Sequence, residues 1–308
     1  MYLGADVGQN KYEVYVDLDR RRVAVRIPTL PYTYIVQLGE KEVKWIRMRL
    51  EEGAEFANAA LVWVDFKRCT LNVALPFRRE PPKLQPRRLL VVDVNALYNG
   101  VAYAVLEEGP VVKTGRFVVP SKAIHLAKRA IPQLQRACAK GKRHACRDAK
   151  RLQSKFYKIL REFQIQTVKR LVGIALRKQA AVVVDAPDWD SLKELKEEGN
   201  LGVKKQLLNV GRLLKRLKHL AEWYGVPYAE ERLYSTVCPW CDAKLNELND
   251  RRMRCLQCGF EEERDVVPIH WAQRRYREIM SKVAAQATTA SSQTPSFSPV
   301  CAVASAVS

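Results

Sequence analysis

Apolar and polar positions alternate in short runs over the first quarter of the chain. Tyr12-Glu13-Val14-Tyr15-Val16, Arg22-Val23-Ala24-Val25-Arg26-Ile27 and Ala60-Leu61-Val62-Trp63-Val64 read as half-buried strands. The polar turns between them predict a small antiparallel barrel or sheet from Tyr12 to about Phe77. Arg78-Arg79-Glu80-Pro81-Pro82-Lys83-Leu84-Gln85-Pro86 then combines charge with prolines, which lack the amide that a strand or helix needs. An extended linker is expected there, and with it the main domain boundary.

Past the linker the pattern changes to longer apolar runs. Leu89-Leu90-Val91-Val92-Asp93-Val94-Asn95, Val101 to Leu106 and Val111-Val112-Lys113 predict the first three strands of an α/β sheet, the central one buried on both faces. From about Ser121 to Lys178 the period becomes helical. Leu152, Phe156, Ile159 and Phe163, then Val168, Leu171 and Ala175, mark an apolar stripe on a helical hairpin rich in Lys and Arg. Ala180-Ala181-Val182-Val183-Val184-Asp185 reads as a second buried strand ending on a carboxylate. A helix from about Lys204 to Tyr224 carries Leu207, Leu214, Leu217 and Leu220 and stops at Gly225-Val226-Pro227. Beyond about Ala284 the Ala, Ser, Thr and Pro have no period, and disorder is expected.

Composition narrows the class. With 308 residues and 47% of them hydrophobic, the chain has material for two or three domains and is not mainly disordered. Its 53 Lys and Arg against 33 Asp and Glu give a net charge of +20, which implies a polyanionic partner, nucleic acid before an anionic membrane surface. No run approaches the ~18 consecutive apolar residues of a membrane span, and the first residues lack the pattern of a secretory signal. A reducing cytoplasm is the expected location. There, eight cysteines point to metal binding plus isolated thiols rather than to a disulfide framework. Cys69, Cys138, Cys146 and Cys301 have no neighbours at ligand spacing and read as ordinary thiols.

The other four cysteines form the strongest local signal. Cys238-Pro239-Trp240-Cys241 and Cys255-Leu256-Gln257-Cys258 are two C-x-x-C knuckles across a short polar loop, the spacing of a tetrahedral four-thiolate zinc site. So small a module cannot bury a core, and bound zinc would supply its folding energy.

Three carboxylates complete the candidate chemistry. Asp93 and Asp185 each end an apolar strand, and Asp265 follows the second knuckle in Glu261-Glu262-Glu263-Arg264-Asp265. Brought together, such a set binds two divalent ions that activate water and stabilise the leaving oxygen of a phosphodiester. Sequence leaves open whether Asp185 or Asp188 is the second member.

The order of these motifs resembles the TnpB (OrfB) family of insertion-sequence proteins, relatives of the type V CRISPR effector nucleases. Val91-Val92-Asp93-Val94-Asn95 looks like the family's first catalytic motif. Tyr234 to Cys241 is similar to its entry into the zinc ribbon, and Cys258-Gly259-Phe260 followed by Arg264-Asp265 to the exit and third motif. The second motif departs from the family pattern, with Asp185 where glutamate is usual.

The resemblance covers roughly residues 10 to 280 and implies an α/β protein in which a β-barrel, wedge-like domain precedes a ribonuclease H-like RuvC domain. The expected boundaries are 1–80 for the barrel, 81–86 for the linker and 87–232 for the nuclease domain with its helical hairpin. The inserted zinc ribbon follows at 233–262, the third motif and C-terminal helix at 263–283, and the tail at 284–308. The resemblance further implies Mg2+ on Asp93, Asp185 and Asp265, structural Zn2+ on the cysteines, and a guide RNA from the transposon locus paired with target DNA. Lys128, Arg129, Arg136, Lys140, Lys142, Arg143, Arg147, Lys150 and Arg151 are the candidate backbone contacts on the hairpin. The alternative reading is a nuclease-impaired relative that binds nucleic acid as a repressor or transposition accessory.

Overall fold

The computed structural model describes residues 2–7, 10–26, 32–57, 61–65, 70–95, 100–186 and 201–289. The chain divides into two compact units between Pro81 and Pro82.

In the first unit β1 (Tyr2–Val7), β2 (Asn10–Asp17), β3 (Arg22–Arg26) and β4 (Thr33–Gln37) form an antiparallel meander in that order. Register and alternation agree: Val16, Val23 and Val36 stand in one buried row, whereas Tyr15, Ala24 and Ile35 line up on the other face. Helix α1 (Glu40–Glu51) follows, burying Val43 and Ile46. The β-rich reading of this region misses that helix, although Val43, Ile46 and Leu50 recur at helical spacing among Glu, Lys and Arg. Next come β5 (Glu55–Phe56), paired with β8 (Phe77–Arg78), and the hairpin of β6 (Leu61–Asp65) with β7 (Thr70–Ala74). Phe77 packs on Phe56 and on the edge of Trp45. Among the described residues these sheets are open, so the fold is mixed α/β without a closed barrel.

The second unit is built on a five-stranded sheet. Strands β9 (Arg88–Val94), β10 (Val101–Leu106), β11 (Val111–Phe117), β12 (Ala180–Asp185) and β13 (Tyr228–Glu231) lie in the order β11-β10-β9-β12-β13. The first three run antiparallel to one another, whereas β12 lies parallel to both β9 and β13. Between β11 and β12 the chain forms α2 (Ser121–His125), a π turn (Leu126–Ala130), α3 (Ile131–Ala139) and the long α4 (Arg143–Lys178). Helix α5 (Leu201–Trp223) connects β12 to β13. A small antiparallel sheet of β14 (Asn246–Glu247), β15 (Arg252–Arg254) and β16 (Glu261–Glu263) carries the cysteines, and α6 (Val267–Arg274) and α7 (Tyr276–Thr289) end the unit.

Both faces of the sheet are covered, which explains the near-continuous apolar runs of β9 and β12. Leu90, Val92, Val182 and Val184 pack with Leu171, Leu213 and Leu217 of α4 and α5. Leu89, Val91, Ala181 and Val183 pack on the other side with Val267, Trp271 and Ile279 of α6 and α7. The hairpin has its own apolar seam, where Phe156 and Leu160 meet Leu126 and Ile131. At ~1.5 Å per residue, the 36 residues of α4 span about 54 Å.

Two expectations are corrected. Cys138 and Cys146 are not isolated thiols but a disulfide. The Lys140-Gly141-Lys142 turn, with Gly141 at φ +86, folds α3 back on α4 and brings the two Cα atoms to 4.8 Å. The C-terminal helix also continues past Ala284 to Thr289, since Ala284, Ala285 and Ala287 are strong helix formers. The remainder of the expected tail, 290–308, lies outside the described residues, as do Cys69, Asp188 and Cys301. No helix among the described residues is long and apolar enough to cross a membrane.

Candidate functional site

Strand alternation places the carboxylates. On β9, Asp93 shares its face with Leu89 and Val91; on β12, Asp185 shares its face with Ala181 and Val183. The parallel register pairs Val184 with Val92, so Asp185 comes next to Asp93 one residue further along. Both point to the face covered by α6, and Asp265 is buried just before that helix. Three positions far apart in sequence therefore meet on one side of the sheet.

Each carboxylate is held differently. Asp93 is 8% exposed and pushed up to about 7, chiefly by burial and further by the charges of Asp185 and Asp265. The Asn95 amide opposes this by donating to Asp93 Oδ2 at 2.6 Å. Asp185 is also pushed up to about 7 by burial, against the Leu233 N–H, which donates to its Oδ1 at 2.7 Å, and the positive charge of Arg232. Asp265 is gripped by guanidinium groups instead, with Arg251 Nη2 at 2.6 Å from Oδ1 and Arg116 Nη2 at 3.4 Å from Oδ2. Arg251 stands in a turn where both it and Asp250 take positive φ.

The cysteine module is more compact. Cys238, Cys241, Cys255 and Cys258 place their sulfurs all within 4.8 Å of one another. Two pairs, Cys238 with Cys258 and Cys241 with Cys255, lie at 3.5 and 3.3 Å. A tetrahedron with ~2.3 Å metal–sulfur bonds has edges of about 3.8 Å, so the set fits one zinc ion. The Cys258 N–H, directed at the Cys255 sulfur, is the main cause that lowers that thiol to about 6, against burial. Among the described residues, this is the one group of three or more His, Cys, Asp or Glu side chains gathered tightly enough for a single ion. The aspartates, by contrast, share a face and feel one another's charge without forming such a cluster.

The sheet and the module are joined by α6. Trp271 donates its indole N–H to Val237 O at 2.9 Å, and Arg274 forms a two-pronged pair with Asp242 beside the first knuckle. The segment matches the family model described as Cas12f1-like, TNB domain, over residues 211–268. The chain is also 21% identical to the TnpB-like protein of Methanocaldococcus jannaschii over 64% of its own length and 72% of that protein's.

The chain is similar to TnpB-like proteins.

The two matches together support kinship with TnpB-like proteins and with Cas12f1-like effectors. A structural comparison pairs the chain with the Cas12f1-sgRNA-target DNA complex at TM-score 0.42 and 12% identity, over 70% of this chain and 67% of that one. The predicted basic positions fall in the π turn (Lys128, Arg129), on α3 (Arg136), in the turn (Lys140, Lys142) and on α4 (Arg143, Arg147, Lys150, Arg151), and all are exposed. Sequence reasoning passed over Asn95, Arg116, Arg251 and the Leu233 amide. Asn95 had a signal, since it follows Asp93 by two residues and thus shares its side of a strand. The arginines had none, because only tertiary structure brings β11 and the cysteine module to Asp265.

Proposed function

We propose that this protein is a transposon-encoded, TnpB-like DNA endonuclease of RuvC type, guided by an RNA from its own locus, with zinc on Cys238, Cys241, Cys255 and Cys258. The observation that carries the reading is the placement of Asp93 and Asp185 on adjacent strands facing Asp265. The donors are hard carboxylates, and mutual repulsion raises Asp93, a cost that divalent cations would remove. Bound Mg2+ ions would supply an activated water and neutralise charge on the leaving oxygen. The chain's own groups set the stage: Asn95 orients Asp93, the Leu233 N–H fixes Asp185, and Arg251 and Arg116 hold positive charge where a phosphodiester would approach. The exposed cations of the hairpin would grip the nucleic-acid backbone, with affinity falling steeply as salt rises.

A second reading, a nuclease-impaired binder that represses or assists transposition, is favoured by two features. Asp265 is saturated by two guanidinium groups, and Asp185 is one methylene shorter than the usual glutamate. The deciding experiment is Mg2+-dependent cleavage of target DNA by the protein purified with RNA from its locus, beside Asp93→Ala. Cleavage lost in the variant supports the nuclease; binding without cleavage by either protein supports the binder.

A further inference from the structure

The other side of the sheet carries a feature the carboxylates do not use. Helices α4 and α5 pack there, and Leu160 of α4 lines one small cavity with Val210 and Leu213 of α5. That contact brings Arg161, next to Leu160, beside Arg212 and Arg216, which are one turn apart on α5 and share a face. Arg216 Nη1 is buried and has no hydrogen-bond partner among the described residues. No carboxylate among them is paired with any of the three arginines. Burial, and then the charges of Arg161 and Arg212, hold the Arg216 guanidinium below its usual range. Arginine does not escape by losing its proton, so among the described residues the three guanidinium groups stay charged together and Arg216 keeps an unfilled donor.

We propose that Arg161, Arg212 and Arg216 form a seat for a phosphate of a nucleic-acid backbone, separate from the carboxylate face.

A guanidinium fork matches two phosphate oxygens, and a bound phosphate would fill the orphaned donor while offsetting the repulsion. A polymer suits the surroundings better than a free ion. Arg143, Lys150 and Arg161 fall on one stripe of α4, and Tyr157, 40% exposed, lies close to it. This stripe leads from the hairpin turn to the seat over about 27 Å, with an aromatic face available for a base. Asp93 and Asp185 share the face covered by α6, whereas α4 and α5 cover the other face. Among the described residues only Asn95 reaches from Asp93 to the cavity beside Leu160; the proposed phosphate is therefore an anchor and not the one that would be cut.

The test uses the full chain, a fluorescein-labelled single-stranded DNA, and the variants Arg216→Gln, Arg161→Gln and Arg216→Lys. Anisotropy titrations across salt should show binding weakened on the order of tenfold in both Gln variants, with the salt slope reduced by about 0.7. Arg216→Lys should keep most of the slope. Without ligand, Arg216→Gln should melt no lower than wild type, because it removes crowded charge. Inorganic phosphate, titrated at constant ionic strength, distinguishes the source. If it raises the wild-type Tm but not that of Arg216→Gln while DNA affinity is equal, the seat is real and takes free phosphate. Unchanged DNA affinity and slope together with no phosphate effect would overturn the proposal. So would a lower Tm in both Arg216 variants with binding lost alike, which would make Arg216 a structural residue.

Discussion

The cysteine module and the carboxylate face solve opposite problems. Four sulfurs come from two knuckles within twenty residues of one another, Cys238 with Cys241 and Cys255 with Cys258, and local turns bring them together. The three aspartates come from β9, β12 and the turn before α6, and they meet on one side of the sheet without closing to single-ion spacing, each restrained by a different partner. A closed site of soft ligands is local and complete, as a structural ion requires. On the proposed reading the carboxylate face keeps room for a substrate, and its charge is balanced by amides and guanidinium groups instead of closing ligands.

Removing one sulfur should expose this difference most strongly. Structural zinc binding in small modules contributes about 10 kcal/mol or more, so Cys255→Ser should release zinc and unfold 233–262. Elemental analysis and far-UV circular dichroism check this. Retained zinc at one ion per chain would remove Cys255 from the ligand set.

The carboxylate face should respond in the opposite sense. Asp93 titrates near 7 in the folded chain against an ordinary 3.8, a difference of about three units, or ~4 kcal/mol. The sign follows from proton binding. The folded state holds the proton more tightly, so this stability is fully present below pH ~4 and is lost as pH rises through about 7. Apo wild type should therefore lose stability from pH 4 to pH 8, with roughly 2.5 of the ~4 kcal/mol from Asp93 falling between pH 5 and pH 8, and Asp93→Asn should flatten that part of the profile while abolishing cleavage. Parallel melting curves for the two proteins across that range would contradict the burial argument.

How much of this was legible beforehand follows from the same contrast. The knuckles were readable because their ligands are sequence neighbours, and Asp93 and Asp185 because each ends an apolar run. Arg116 and Arg251 were not, since β11 and the β14–β15 turn reach Asp265 only through the fold. Helix α1 was hidden by the strand-like runs around it, although Val43 and Ile46 carry a helical period. The disulfide was hidden because Cys138 and Cys146 meet only when Gly141 turns the chain between two helices.

That disulfide offers a smaller test of the idea that local closure governs the thiols. Closing a loop with a sequence separation of 8 removes denatured-state freedom worth about 2.5 kcal/mol. Cys138→Ser should lower stability by that amount without changing zinc content. Loss of zinc along with the disulfide would mean that the two thiol systems are coupled.

The smallest effect should come from Arg251, and it bears directly on the open site. Its side chain is 39% exposed, so solvent discounts its pair with Asp265, whose own side chain is 5% exposed. Arg251→Gln should cost about 1 kcal/mol without divalent ions, leaving Asp265 with Arg116 at 3.4 Å. If guanidinium and cation serve the same carboxylate in turn, the variant should bind Mn2+ more tightly than wild type, and saturating Mn2+ should restore its melting temperature. Equal Mn2+ affinity in the two proteins would show that Arg251 and the ion do not compete, and Asp265 would then resemble the cysteines, committed to a single structural partner.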